Sequence, residues 1–229
     1  MRQNYQIIMI LLLDLGNTRS KFAIYKDDNI LTEGVLSDLN PTSFCAIPFW
    51  DEITKILLSS VVNLPKESEL LIQERLVQKK PQLKSKNYSI ESLGEDRKYL
   101  ALGAGANALV ICLGTCITYN VTNDAKEFCA GAISPGIGLR AKSMSDGTAK
   151  LPKIDIEAKY PHWGTDTASN LLAGIMAGIE YEILGFVADI KKLQPDINVI
   201  LTGGDAPNFA HLYPVDMHIL WKGMLQIIE

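Results

Sequence analysis

The chain has 229 residues, room for two domains of roughly 100 each. Hydrophobic residues make up 47% and charged residues 21%, the balance of an ordinary soluble globular protein. A net charge of −4 sets up no global basic field, which excludes a broad nucleic-acid or anionic-membrane surface as the basis of function.

The first predicted element is a strand over Ile7–Asp14. The apolar run follows Arg2, as in a signal peptide, but it is too short to cross a membrane and has no small-residue cleavage site after it. A buried central strand is expected instead. Met1 and Met9 both remain open as starts. Gly16-Asn17-Thr18 then turns the chain into a strand over Ser20–Lys26. A turn at Asp27-Asp28-Asn29 leads to a third strand, Ile30–Leu36, and the three are expected to pair antiparallel. Pro41 and Pro48 punctuate the next stretch. A strand is predicted over Ile56–Val62. A helix is predicted over Glu67–Lys79 from the spacing of Leu70, Leu71, Leu76 and Val77. Tyr88 and Ser89 sit in a short strand or loop, and a helix starts around Gly94-Glu95-Asp96-Arg97.

The second half repeats the outline of the first. Ala108–Thr122 reads as apolar strand, Gly114-Thr115 turn, second strand. A turn at Asn123-Asp124-Ala125 leads to a strand over Phe128–Ile133. Ser134-Pro135-Gly136 then precedes a helix over Leu139–Ser145. Thr167–Ala188 is a long helix, with Leu171, Leu172, Ile175, Ile179, Ile183 and Phe186 near a 3.6 period. Asn198–Leu201 is a buried strand ending in Thr202-Gly203-Gly204-Asp205, and Ile219–Ile228 is a closing helix. Three strands followed by helices and a strand, twice over, predict two α/β lobes of ribonuclease-H-like type, residues 1–107 and 108–229. Each should hold a mixed sheet, with the ligand cleft between the lobes.

Several residues along this path can carry chemistry. Asp14 ends a buried strand beside a glycine turn. It suits either a magnesium-linked carboxylate or a plain turn cap. Lys21, in the return strand, can reach phosphate oxygens or simply be solvated. Asp96 and Arg97 at a helix start can serve as proton acceptor and carboxylate clamp, or as first-turn surface residues. The Gly16 and Gly114 turns offer backbone N–H groups without a Cβ in the way, the geometry that cradles phosphate. Of the four cysteines, Cys45, Cys112, Cys116 and Cys129, no two have C-x-x-C spacing. Neither a zinc site nor a disulfide framework is expected, and reduced cytosolic thiols are the default.

Taken together, the motifs resemble the type III pantothenate kinases of the acetate and sugar kinase, Hsp70 and actin superfamily. The resemblance rests on D-x-G-N-T-x-x-K at Asp14–Lys21, G-x-D-R at Gly94–Arg97 and G-T at Gly114-Thr115. G-x-I-x-P-G at Gly131–Gly136, L-P at Leu151-Pro152, Thr167 and T-G-G at Thr202–Gly204 extend it. It implies an actin-like ATPase fold and ATP-dependent phosphorylation of pantothenate to 4'-phosphopantothenate, the first step toward coenzyme A. It also implies a cytoplasmic homodimer with no nucleic-acid or membrane partner. On that resemblance, Asp14, Leu15, Gly16, Asn17, Thr18, Arg19, Ser20 and Lys21 hold ATP with Thr115, and Asp14 also holds Mg2+, through water. Asp96 is the proton acceptor. Tyr88, Gly94, Glu95, Asp96, Arg97 and Thr167 contact pantothenate.

One position departs from the family. Its members carry an Asp where this chain has Cys112, and that Asp helps hold a monovalent cation, K+ or NH4+. A thiol is a poor ligand for potassium, which prefers oxygen donors, so the cation site is in question here. The alternative to a kinase is a non-catalytic nucleotide-binding regulator of the same fold, acting as a transcription accessory factor. Asp96 and Arg97, which such a regulator does not need, argue for catalysis.

Overall fold

Ile10–Leu15 (β1) is apolar on both faces, and such a strand is stable only inside a sheet. In the computed structural model, which describes residues 8–85, 87–157 and 159–228, it lies between two partners. β2 (Ser20–Lys26) pairs with it antiparallel, and β4 (Lys55–Ser60) pairs with it parallel. β3 (Asn29–Leu36) adds to β2, giving a mixed sheet of order β3-β2-β1-β4. The β2–β3 turn puts Asp27 and Asp28 at φ 49 and 59, left-handed values that match the twist of a two-residue hairpin. Ile7, the expected first residue of β1, lies outside the described residues, as do Met1 and Arg2.

The first sheet packs Leu11, Leu13, Leu15, Ile24 and Ile56 against Phe44 and Ile72. Phe44 belongs to a short helix, α1 (Pro41–Cys45), and Ile72 to α2 (Lys66–Gln73). The helix predicted to reach Lys79 therefore stops at Gln73. The next residues are claimed by the sheet edge. Ile56 N–H donates to Arg75 O at 2.8 Å, and Val77 N–H donates to Ile56 O at 2.9 Å. Leu76 forms a parallel bridge to Ile56. Backbone groups of a buried edge need partners, and the apolar Leu76-Val77 pair supplies them in extended rather than helical form.

The second sheet repeats the first. β5 (Ala108–Leu113) lies between β6 (Cys116–Thr122, antiparallel) and β8 (Asn198–Thr202, parallel), with β7 (Phe128–Pro135) beyond β6. The two central strands are flanked alike, although the β5–β6 hairpin is one residue tighter than the β1–β2 hairpin. Asp14 faces Lys21 on one side and Ser59 on the other. Cys112, at the same place in β5, faces Thr118 and Thr202.

Three further helices follow β3's and β7's sheets along the chain: α3 (Glu95–Ala104), α4 (Ile137–Asp146) and α5 (Thr167–Leu193), with α6 (Ile219–Leu225) closing the sequence. α5 starts on an Asp166/Ser169 capping box, which satisfies its first orphan N–H groups. It is long and apolar enough to cross a membrane by length and composition. Its stripe of Ile175, Met176, Ile179, Ile183 and Val187 is instead buried with Leu109, Ile111 and Tyr119 of the second sheet.

The chain divides into two compact units. The first takes Met1–Gln82, Ser92–Tyr99 and Leu220–Glu229; the second takes Leu83–Glu91 and Leu100–Ile219. A boundary at 107/108 separates the two sheets, whereas the compact units exchange short segments: 83–91 and 100–107 join the second, and 220–229 joins the first.

Candidate active site

Asp14 lies one residue before the end of β1. Ser59 Oγ donates to its Oδ1 at 3.2 Å, and Lys21 is its antiparallel neighbour. Burial pushes the Asp14 carboxyl up from 3.8 to about 6, and the charge of Asp96 pushes the same way. The Ser59 hydrogen bond and Lys21 oppose the rise without cancelling it. Two carboxylates thus sense one another inside one unit, an arrangement that favours a cation beside them.

The turn after Asp14 is tight. Gly16 N–H donates to Arg19 O at 3.1 Å, and a Cβ on Gly16 would stand 2.9 Å from that same oxygen. Leu15 is buried, Asn17, Thr18 and Arg19 are exposed, and Ser20 begins the return strand.

Asp96 lies in the first turn of α3, with Glu95 before it. Its carboxylate folds back over Gly94, where a Cβ would come within 2.6 Å of Asp96 Oδ1. Gly94 is therefore part of the acid's seat. Arg97 is only 6% exposed, rare for a guanidinium. A solvated surface arginine is thus excluded. Glu95 is held by Lys80, Nζ to Oε1 at 2.6 Å.

In the second unit three loops meet at the end of the sheet. Gly136 N–H donates to Thr115 O at 3.0 Å. A Cβ on Gly136 would lie 1.9 Å from Gly114 O and 2.8 Å from Thr115 O, so only glycine fits. Gly203, at φ +94, would put a Cβ 2.3 Å from Leu113 O, and Asp205 N–H donates to that oxygen at 3.0 Å. The Gly114-Thr115 turn is thereby braced by backbone from two sides, with Thr115 exposed. Thr167 is the exposed first residue of α5. Tyr88 sits edge-on to Phe128, centroids 4.9 Å apart.

Asp14, Lys21, Gly94, Glu95, Asp96 and Arg97 thus share the first unit, and Tyr88, Thr115 and Thr167 belong to the second. Sequence reasoning gave Ser59 no role, although it lies in the strand predicted over Ile56–Val62; only the parallel pairing of that strand with β1 brings it to Asp14. The same reasoning missed Glu182 altogether, which draws in Tyr119, Ser134 and Arg140, because nothing in the local sequence marks one glutamate on a long helix.

Two mixed sheets of identical order, each with a glycine turn after its central strand, define the class of the actin-like ATPases and sugar kinases. Two solved structures share this architecture. One, from Campylobacter jejuni and described as a Baf family transcriptional activator, gives a TM-score of 0.67 at 23% identity, covering 95% of this chain and 96% of its own. The other, from Sinorhizobium meliloti and described as a 2-dehydro-3-deoxygalactonokinase, gives 0.55 at 12% identity, covering 96% and 95%. At these identities the likeness concerns the fold alone.

The family model for type III pantothenate kinase matches residues 10–189. Type III pantothenate kinases of Bacteroides fragilis (30% identical, 96% of this chain and 98% of the relative) and Flavobacterium psychrophilum (34%, 86% and 88%) are similar along nearly their whole length. The chain belongs to the type III pantothenate kinase family.

Proposed function

We infer that this chain transfers the γ-phosphoryl group of ATP to the primary hydroxyl of pantothenate, giving 4'-phosphopantothenate and ADP at the entry to coenzyme A synthesis. Family membership carries the reaction. The observation that supports its residue assignment is the electrostatic pairing of Asp14 and Asp96 within one unit.

Asp96 is assigned as the general base. Its carboxylate takes the proton of the pantothenate hydroxyl as that oxygen bonds to phosphorus and the bond to ADP breaks. Arg97 is assigned to the pantothenate carboxylate, and Gly94, Glu95, Tyr88 and Thr167 are assigned as further pantothenate contacts. Lys21 and the backbone N–H groups of the Gly16 and Gly114 turns, with the Thr115 hydroxyl, are assigned to the phosphates.

The donor set at Asp14 fits magnesium. It is a hard carboxylate oxygen whose proton affinity is raised first by burial and then by the charge of Asp96, and magnesium takes few protein carboxylates while keeping waters. Bound there through water, the ion would neutralise charge on the ATP phosphates. A monovalent cation fits less well, since the thiol of Cys112 stands where the family has an oxygen donor. We place the enzyme in the cytoplasm as a homodimer, for which exposed Leu184, Phe186 and Leu193 on α5 offer apolar surface.

The test is ATP consumption with and without pantothenate in potassium, ammonium and sodium buffers, with the product identified by mass. ATP use that pantothenate does not stimulate would overturn the assignment. No observation in the chain favours the non-catalytic regulator: the likeness to the Campylobacter protein is one of fold.

A further inference from the structure

Glu182 lies midway along α5, facing the second sheet. Its Oε1 accepts hydrogen bonds from Tyr119 Oη at 2.8 Å and Ser134 Oγ at 2.5 Å. Its Oε2 pairs with Arg140 Nη2. Three donors from three elements, β6, β7 and α4, therefore converge on one carboxylate. Burial works against its ionisation, but the bonds from Ser134, Arg140 and Tyr119 outweigh it and hold the carboxyl below the usual range. Glu182 is thus a fixed anion at neutral pH.

Two of the three donors lead to the same loop. Arg140 also donates from Nε to Pro135 O at 2.8 Å, and Ser134 is the residue before Pro135. The next residue, Gly136, is the one that abuts Gly114 O and donates to Thr115 O. A continuous line of charge-assisted and backbone hydrogen bonds runs from Glu182 through Arg140 and Pro135-Gly136 to the Gly114-Thr115 turn. Bonds to ionised groups are the stronger ones and fix direction as well as distance.

We propose that Glu182 is a positioning residue for nucleotide binding: with Arg140 and Ser134 it sets the Pro135-Gly136 loop, and that loop sets the Gly114-Thr115 turn. The proposal rests on the reading that this turn holds the ATP phosphates. Glu182 touches no substrate. It acts by fixing where backbone donors point, and a displacement of about 1 Å in such groups is costly to binding and rate.

The experiment compares four variants of the full-length protein: Glu182→Gln, Arg140→Lys, Tyr119→Phe and Thr115→Ala. KM for ATP, KM for pantothenate, kcat and the thermal midpoint are measured for each. Glu182→Gln removes the charge at constant shape, and Arg140→Lys keeps charge but breaks the fork that links Glu182 to Pro135. Both should raise KM for ATP about tenfold, the scale of one charged hydrogen bond, and leave KM for pantothenate within about twofold. Tyr119→Phe, whose bond to Glu182 does not lead to the loop, should lower the midpoint without moving KM for ATP. Should Glu182→Gln not fold, Arg140→Lys decides by the same criterion. If Thr115→Ala raises KM for ATP while Glu182→Gln and Arg140→Lys do not, the cluster only packs the unit and the proposal is overturned. If Thr115→Ala also leaves KM for ATP unchanged, the phosphate reading of the turn itself fails and takes the proposal with it.

Discussion

Replacing Asp14 by asparagine separates what this residue does for the reaction from what it does to the fold. In an unfolded chain an aspartate loses its proton near 3.8, whereas folded Asp14 keeps it up to about 6. Between those values the folded state binds the extra proton, so stability falls as pH rises. Below 3.8 both states are protonated and nothing is lost; above about 6 the loss is complete. At about 1.4 kcal/mol per tenfold change in proton affinity, the rise from 3.8 to about 6 amounts to up to about 3 kcal/mol. Asparagine carries no charge to desolvate, and its Oδ1 can still accept from Ser59 Oγ. Without ligands, Asp14→Asn should therefore be nearly as stable as the parent at pH 4 and more stable by up to about 3 kcal/mol at pH 8. Urea unfolding at the two pH values reads this directly. The same variant should lose magnesium-dependent phosphorylation of pantothenate and the stabilisation that magnesium-ATP gives the parent. A variant less stable than the parent at pH 8, or an equal gain at both pH values, would refute the reasoning and make Asp14 a turn cap.

Three other substitutions follow from the same geometry. Asp96→Asn should keep most of the ATP affinity and lower turnover about 10²–10⁴-fold; unchanged turnover in a steady-state assay would remove Asp96 from the mechanism. Gly136→Ala must push the loop off the Gly114-Thr115 turn, since its Cβ would lie 1.9 Å from Gly114 O. The expected cost is about 1–3 kcal/mol of stability together with weaker ATP binding by calorimetry, and an unaffected Kd would show that the turn tolerates displacement. Cys112 predicts a rate that depends little on potassium or ammonium, and Cys112→Asp should restore some dependence. A strong potassium requirement in the parent would mean that other oxygens hold the ion.

Much of the sheet framework was legible because central strands announce themselves. Leu11–Leu13 and Leu109–Ile111 are apolar on both faces, and each runs into a glycine turn. The Gly94–Arg97 helix start was legible from its acids and its glycine. The end of α2 was not, because Leu76 and Val77 continue an apolar spacing that a helix and an edge bridge satisfy equally, and only the open edge of Ile56 decides between them. Arg97's burial could not be read either, since it depends on distant chain rather than on its neighbours. The Glu182 cluster spans 42 to 63 residues of separation, a range over which periodicity carries no signal.

The like flanking of the two central strands has a consequence for local opening. At one and the same point in the pleat, the first sheet buries a carboxylate beside Ser59 and the second places Cys112 beside Thr202. The cost of ionising the buried Asp14 carboxyl therefore falls on one copy of the frame. Amide exchange protection is set by the free energy of opening each cooperative segment. Raising the pH from about 4 to about 6 should loosen β1 and β4, while β5 and β8 carry no carboxylate of their own. Two strand sets built to one pattern would then answer a change of pH differently, the one that carries the acid losing protection as the pH rises until a cation settles beside it.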